Sequence, residues 1–273
     1  MGVGEFESLI AADGPVDLLK AGLLIAREQY PSLNVDLYLR RFEGLVADAK
    51  HHLGATDPRG PRAVELLNDF YFGYAGFLGN NDDYHDPRNS YLNDVIDRRL
   101  GIPITLSVLY AEMARRVGVK ARGVGFPGRY LVKCEAGRGE VIVDCFDGRT
   151  IDRAGCQSLL DSMYGGKVKL NAEMLRASTP RETLGRMLNN LRGVFTQKKQ
   201  FPRALRYLDL AVKVQPDSVE FVRDRGLLLL QMEDFGRASE DLAEYLRREP
   251  GAGDGALIKE HLQLAKKLLV RLN

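Results

Sequence analysis

Tryptophan is absent from this 273-residue chain, and cysteine occurs only at positions 134, 145 and 156. The spacing of Cys134, Cys145 and Cys156 fits neither a CxxC metal site nor an even-numbered disulfide framework. Long apolar runs are also missing, because none reaches the roughly 18 residues that a membrane-spanning helix needs. The first residues lack the basic and then apolar segments of a secretory signal. We therefore expect a cytoplasmic protein, in a reducing compartment, that does not bind membranes.

An excess of charge of one sign is equally missing. The 39 basic and 37 acidic side chains leave a formal net charge of +2, so a broad electrostatic footprint for nucleic acid is not expected. The four histidines show no metal-ligand spacing such as HExxH. Asp82, Asp83 and Asp86 form an acidic cluster, but their loop lacks the glycine and final glutamate of an EF-hand. We expect neither a metal nor another cofactor.

Periodic apolar residues predict three helices near residues 19–30, 35–49 and 63–77. A shorter helix should follow near 90–100, and then a helix over 104–117 that is apolar on nearly all sides and is therefore buried. Three β-branched runs, near 122–126, 130–134 and 141–146, are separated by Gly-containing turn signals. That pattern predicts antiparallel hairpin pairing.

From residue 180 the pattern is helical throughout and contains an internal repeat. A shift of 34 residues superposes five identical pairs: Phe201 and Phe235, Arg203 and Arg237, Ala204 and Ala238, Leu208 and Leu242, Pro216 and Pro250. Thirty-four is the tetratricopeptide period, in which each unit is a pair of antiparallel helices. Small side chains at Ala204 and Ala238 would allow close helix packing. The segment after Pro250 predicts a final capping helix. We predict domains at 1–179 and 180–273.

Three motifs carry a resemblance to a known family. Residues 89–93 read NSYLN, residues 98–104 read RRLGIPI and residues 123–128 read GVGFPG. Together they resemble the SirB transglutaminase-like family over roughly residues 35–250, and members commonly carry C-terminal tetratricopeptide repeats. The resemblance implies an α+β fold: a transglutaminase-like (papain-like) core with N-terminal helices, followed by an all-α tetratricopeptide-like helical module.

Active transglutaminase-like enzymes pair a cysteine at the start of the central helix with a histidine and an aspartate on neighbouring strands. The helix N-terminus stabilises the thiolate, the histidine carries the proton and the carboxylate orients the histidine. The resemblance places these roles at about Pro103, at Arg129 and at Asp144. Proline cannot attack a substrate, and arginine stays protonated and cannot act as a base. We expect Arg129 and Asp144 to form a structural ion pair instead.

Three hypotheses follow for function. The first is a non-catalytic interaction protein that binds a peptide or protein through the repeats or the remnant cleft, where Arg129 and Asp144 offer a carboxylate site. The second is a cysteine-independent hydrolase or acyltransferase that uses Thr105, Ser107 and Asp144, with His85 approaching from its loop. The third is a purely structural role for the repeats. The sequence does not identify the partner or the oligomeric state.

Overall fold

The computed structural model describes residues 2–11 and 16–272; residues 1, 12–15 and 273 lie outside the described part. The chain divides into two compact units, Met1–Met187 and Leu188–Asn273. Within the described residues, no helix combines the length and the apolar character that crossing a membrane requires.

Helices form the first part of the first unit. They are α1 Gly2–Ala11, α2 Leu18–Ala26, α3 Val35–Leu53 and α4 Pro61–Asn68. Asn34 caps α3 by accepting a hydrogen bond from the Leu37 N–H at 3.0 Å, which satisfies one of the free amides of the first turn. The third predicted helix is shorter than its apolar stripe, because α4 passes into a π-helical turn over Asp69–Tyr74. Helix α1 was not predicted.

A sheet and a buried helix form the centre of this unit. The strands and helices are β1 Leu78–Gly79, α5 Leu92–Arg98, β2 Leu100–Gly101, α6 Pro103–Arg116, β3 Ala121–Val124, β4 Leu131–Ala136, β5 Gly139–Asp144, β6 Arg149–Ile151 and α7 Arg153–Tyr164. Strands β3 to β6 pair antiparallel in sequence order, so the predicted hairpins are confirmed. The short strand β6 and helix α7 were not predicted.

Helix α6 is the central element of the core, as its apolar sequence predicts. Residues 103–110 are all buried, and Pro103 occupies the first helical turn, where its missing N–H is not needed. The second half of the sheet packs against α7 through a cluster that includes Phe126, Leu131 and Leu160. Ser107, near the start of α6, donates a hydrogen bond to the carbonyl of Tyr130, the residue before β4, so the N-terminal part of α6 contacts the start of that strand.

The second unit is entirely helical. Its helices are α8 Pro180–Gln197, which begins in the first unit, α9 Phe201–Val214, α10 Val219–Gln231, α11 Phe235–Arg248 and α12 Gly255–Leu272. The two equivalent helices α9 and α11 each begin at the repeated phenylalanine. Ala204 and Ala238 are fully buried, so the predicted helix packing is confirmed. Helix α12 packs on the last repeat through Ile258, next to Leu242, as expected of a capping helix.

Candidate functional site

The Asp144 carboxylate lies at the end of β5 and is fully buried. Its Oδ2 accepts hydrogen bonds from Arg129 Nε at 3.0 Å and Nη2 at 2.9 Å. Its Oδ1 accepts from the N–H groups of Phe146 at 3.1 Å and Asp147 at 3.4 Å. The ion pair predicted from the sequence is therefore confirmed, and both carboxylate oxygens are occupied.

Arg129 is held on several sides. Its Nη2 also lies 2.6 Å from Asp147 Oδ2, and its guanidinium group stacks over the Phe146 ring with 4.7 Å between carbon and ring centroid. Burial opposes the charge of this group, but hydrogen bonding to Asp144 and the charges of both aspartates outweigh it and raise the pKa of Arg129. A fixed cation, which cannot carry protons near neutral pH, therefore lies beside the Asp144 carboxylate.

The start of α6 holds hydroxyl groups but no thiol. Thr105 Oγ1 accepts from the Ile102 N–H at 3.2 Å and donates to the Asn89 carbonyl at 2.8 Å. Ser107 Oγ donates to the Tyr130 carbonyl at 3.1 Å. Both side chains are fully buried, and both hydroxyl protons are directed at backbone carbonyls. A role for Thr105 or Ser107 in binding or catalysis stays a prediction that this geometry does not favour.

The three cysteines are buried and unpaired by disulfides. Burial raises the pKa of Cys134 to about 12, raises that of Cys145 well above its ordinary value, and raises that of Cys156. Thiol reactivity requires an accessible thiolate, so these side chains behave as small core residues. They supply no nucleophile at the start of α6.

The polar loop that precedes α5 does not assemble a metal site. Among the residues that the structure describes, no group of three or more His, Cys, Asp or Glu side chains could hold a metal ion. Asp86 is buried and pairs with Arg88, whose Nη2 lies 2.8 Å from Asp86 Oδ2. His85 is exposed, and its ring packs on that of Tyr84, with 5.4 Å between centroids.

One residue beside Arg129 was missed by the sequence analysis. Arg186, on α8, donates from Nη2 to the carbonyl oxygens of Phe126 at 2.9 Å and Arg129 at 2.7 Å. Its guanidinium group lies over the Tyr130 ring at 5.6 Å. Because Arg186 belongs to the helical segment that begins at residue 180, no local pattern placed it next to the GVGFPG motif.

A separate cavity lies in the second unit, between α8, α9 and α10. Its volume is about 160 Å³, and its polar lining consists of Arg192, Thr196, Asp224 and Gln231. Arg192 Nη2 lies 3.4 Å from Asp224 Oδ2. Thr196 Oγ1 is buried and has no hydrogen-bond partner in the described part of the chain. Thr196 thus lines the cavity while its hydroxyl group is left without a partner among the described residues.

Comparison with known proteins agrees with this architecture. The sequence model of the transglutaminase-like superfamily matches residues 36–189, and the tetratricopeptide repeat model matches residues 191–263. A UPF0162 protein of Xylella fastidiosa (strain 9a5c) is 35% identical over 92% of this chain and 90% of its own length. A UPF0162 protein of Vibrio cholerae is 28% identical over 89% and 90%.

A more distant relative is F-box only protein 21 of Mus musculus, which is 32% identical over 62% of this chain but only 27% of its own length. No solved structure matches the chain significantly. The superfamily match covers more than half of the chain, and the Xylella relative is similar over nearly all of it. The chain therefore belongs to the transglutaminase-like superfamily, with tetratricopeptide repeats after the core.

Proposed function

We propose that this protein is a non-catalytic, cytoplasmic member of the superfamily that binds a peptide or protein partner. The observation that carries the proposal is the Arg129–Asp144 ion pair. Its two hydrogen bonds of 2.9 and 3.0 Å engage the carboxylate that would orient a catalytic histidine. Because a guanidinium group neither accepts nor releases a proton near neutral pH, this pair cannot carry out acid–base catalysis.

The absence of an accessible thiol supports the same proposal. Covalent catalysis by cysteine needs a thiolate next to a base or a helix N-terminus, whereas Cys134, Cys145 and Cys156 are buried with raised pKa values. Thr105 and Ser107, the hydroxyls of the alternative hydrolase hypothesis, each donate to a backbone carbonyl. No basic side chain accepts a hydrogen bond from either hydroxyl among the described residues, so no observation favours that hypothesis.

The repeats support the binding part of the proposal. Stacked repeats form extended concave binding surfaces, and here α8, α9 and α10 line a cavity next to Thr196, whose buried hydroxyl has no partner in the described part of the chain. Repeat arrays use such concave surfaces to bind their partners. We therefore propose the repeat cavity and the surface around Arg129 and Asp144 as the two sites for the partner.

Thiol labelling tests the non-catalytic part. We expect iodoacetamide at pH 7.5 to label the native chain only as fast as it unfolds, and to label all three cysteines rapidly in urea. The native chain should not accelerate hydrolysis of p-nitrophenyl acetate beyond an equal concentration of urea-unfolded chain. Rapid labelling of a single cysteine in the native chain, together with ester turnover that labelling abolishes, would show that the protein is an enzyme.

Peptide selection tests the binding part. We expect a displayed random-peptide library to yield sequences that bind the full chain, measured afterwards by fluorescence anisotropy. Thr196→Val replaces the free hydroxyl by a methyl group of equal size, so it should weaken peptides bound in the repeat cavity without lowering stability. Glu240→Ala, an exposed substitution on α11, is the control. Failure to select any saturable peptide would contradict the proposed function.

A further inference from the structure

Arg186 supports a tight turn next to the Arg129–Asp144 ion pair. Residues Phe126 to Arg129 form this turn, in which the Arg129 N–H donates to the Phe126 carbonyl at 3.1 Å and Gly128 adopts a φ of 67°. Proline followed by a glycine with positive φ is typical of a type II turn. Arg186 Nη2 donates to both carbonyls of the turn, at 2.9 and 2.7 Å. These two bonds use both Nη2 protons and leave Nη1 and Nε unused.

The charge of Arg186 has no counter-charge. Within the described part of the chain, no carboxylate lies within 4 Å of its guanidinium group, while Arg129 contacts both Asp144 and Asp147, and Arg149 contacts Asp147. Three arginines therefore share two carboxylates, which leaves one unit of positive charge at Arg186. Burial lowers the pKa of Arg186, and the groups that oppose this lowering are tyrosine hydroxyls rather than carboxylates.

Exposed apolar side chains surround this cation. Tyr84, Met163 and Tyr164 are 42%, 39% and 40% exposed, respectively. The centroid of the Tyr84 ring lies 5.8 Å from that of the Phe146 ring, over which the Arg129 guanidinium group is stacked. Met163 Sδ packs directly over Gly128, where a Cβ would overlap it. Tyr164 follows Met163 at the end of α7.

We propose that Arg186 binds the C-terminal carboxylate of a partner protein, whose last side chain packs on Tyr84, Met163 and Tyr164. This inference rests on the proposed binding function and assigns it a site and a ligand. Arg129 was the residue expected from the sequence for this role, but its charge is already matched by Asp144 and Asp147. A single uncompensated charge with one free terminal nitrogen suits a monovalent carboxylate, whereas a phosphate dianion requires several such donors.

Paired peptides test the inference on the full chain. Fluorescein-labelled hexapeptides ending in Phe, Leu or Tyr are prepared with a free carboxylate and with a C-terminal amide, and their binding is measured by anisotropy. We expect the best acid to bind at least about tenfold more tightly than its amide, as one charge-assisted hydrogen bond provides. We expect its saturating addition to shift the Met163 methyl resonance. Equal binding of acid and amide, or no binding by any of the acids, would overturn the inference.

Substitutions then identify the cation. Arg186→Gln keeps a donor for the turn but removes the charge, so the acid should bind no better than the amide, while Arg186→Lys should retain part of the preference. Arg122→Gln, at an exposed arginine of β3, should change nothing. Comparison of acid with amide on the unmodified chain remains decisive if Arg186→Gln does not fold. If the acid and the amide bind equally well and Thr196→Val weakens their binding, the Arg186 site is refuted but the proposed function stands. Cleavage of the peptide would refute the proposed function itself.

Discussion

Replacing Arg129 by methionine should destabilise the first unit strongly, because it leaves the Asp144 carboxylate fully buried without a cation. Removing one partner of a buried ion pair costs about 3–5 kcal/mol. The backbone N–H groups of Phe146 and Asp147 continue to bond Asp144 Oδ1, so we expect the lower end, about 3 kcal/mol. Arg149→Met is the matched control. Arg149 is 58% exposed in its contact with Asp147, and exposed pairs contribute at most about 1 kcal/mol.

Asp144→Asn completes a double-mutant cycle. The asparagine keeps an acceptor for the two backbone N–H groups but loses the charge, and Arg129 retains Asp147, so we expect a loss of about 1–2 kcal/mol. In the double variant neither side of the pair is charged, and its loss should be smaller than the sum of the two single losses by about 2 kcal/mol.

Urea unfolding followed by circular dichroism at 222 nm measures these losses. Hydrogen exchange of the strands Leu131–Ala136 and Gly139–Asp144 assigns the transition to the first unit. If Arg129→Met loses no more stability than Arg149→Met, or if the losses in the cycle are simply additive, the ion pair does not stabilise this site as argued above.

Two further predictions concern packing and pH. A Cβ at Gly226 would lie 2.9 Å from Leu242 Cδ2, whereas nothing lies within 4 Å of a Cβ at Gly193. Gly226→Ala should therefore lower the free energy of unfolding by about 1–3 kcal/mol, and Gly193→Ala should raise it by up to about 1 kcal/mol. Equal urea midpoints for the two variants would contradict the repeat packing. Burial raises the pKa of Cys134 to about 12, so between pH 9 and 12 the unfolded chain loses a proton that the folded chain keeps, and the free energy of unfolding should fall as pH rises. Cys134→Ala should reduce the slope of this fall by up to about 1.4 kcal/mol per pH unit. An unchanged slope in urea titrations at different pH values would refute this assignment.

Local patterns were sufficient for much of the fold. The apolar run of α6, the turn signals between β3, β4 and β5, and the 34-residue repeat each lie within a continuous stretch of sequence, so periodicity reveals them. Strand β6 was missed because it has only three residues, none of them buried, and periodicity needs a longer segment. The π-helical turn at Asp69–Tyr74 was missed because its apolar spacing is close to that of an α-helix.

The candidate site was predictable only in part. Arg129 directly follows the GVGFPG motif, the family resemblance points to Asp144 on a neighbouring strand, and their opposite charges predict the ion pair. Arg186 could not be placed, because its contact with the turn joins residues 57 positions apart, which no local sequence pattern relates. The second contact of Arg129, with Asp147, likewise depends on the course of the turn after β5.

The continuous helix α8 affects how the gene can be divided for recombinant expression. A fragment that stops at residue 179 would lack Thr183, whose hydroxyl lies 2.7 Å from that of Tyr130. It would also lack Arg186, which donates hydrogen bonds to the carbonyls of the turn at the end of the GVGFPG motif. Leu184, which is fully buried, would be lost as well. A fragment that ends after Gln197 keeps the whole helix. Binding assays on the isolated transglutaminase-like core will therefore report on the native cleft only if the fragment extends beyond the start of the repeat sequence.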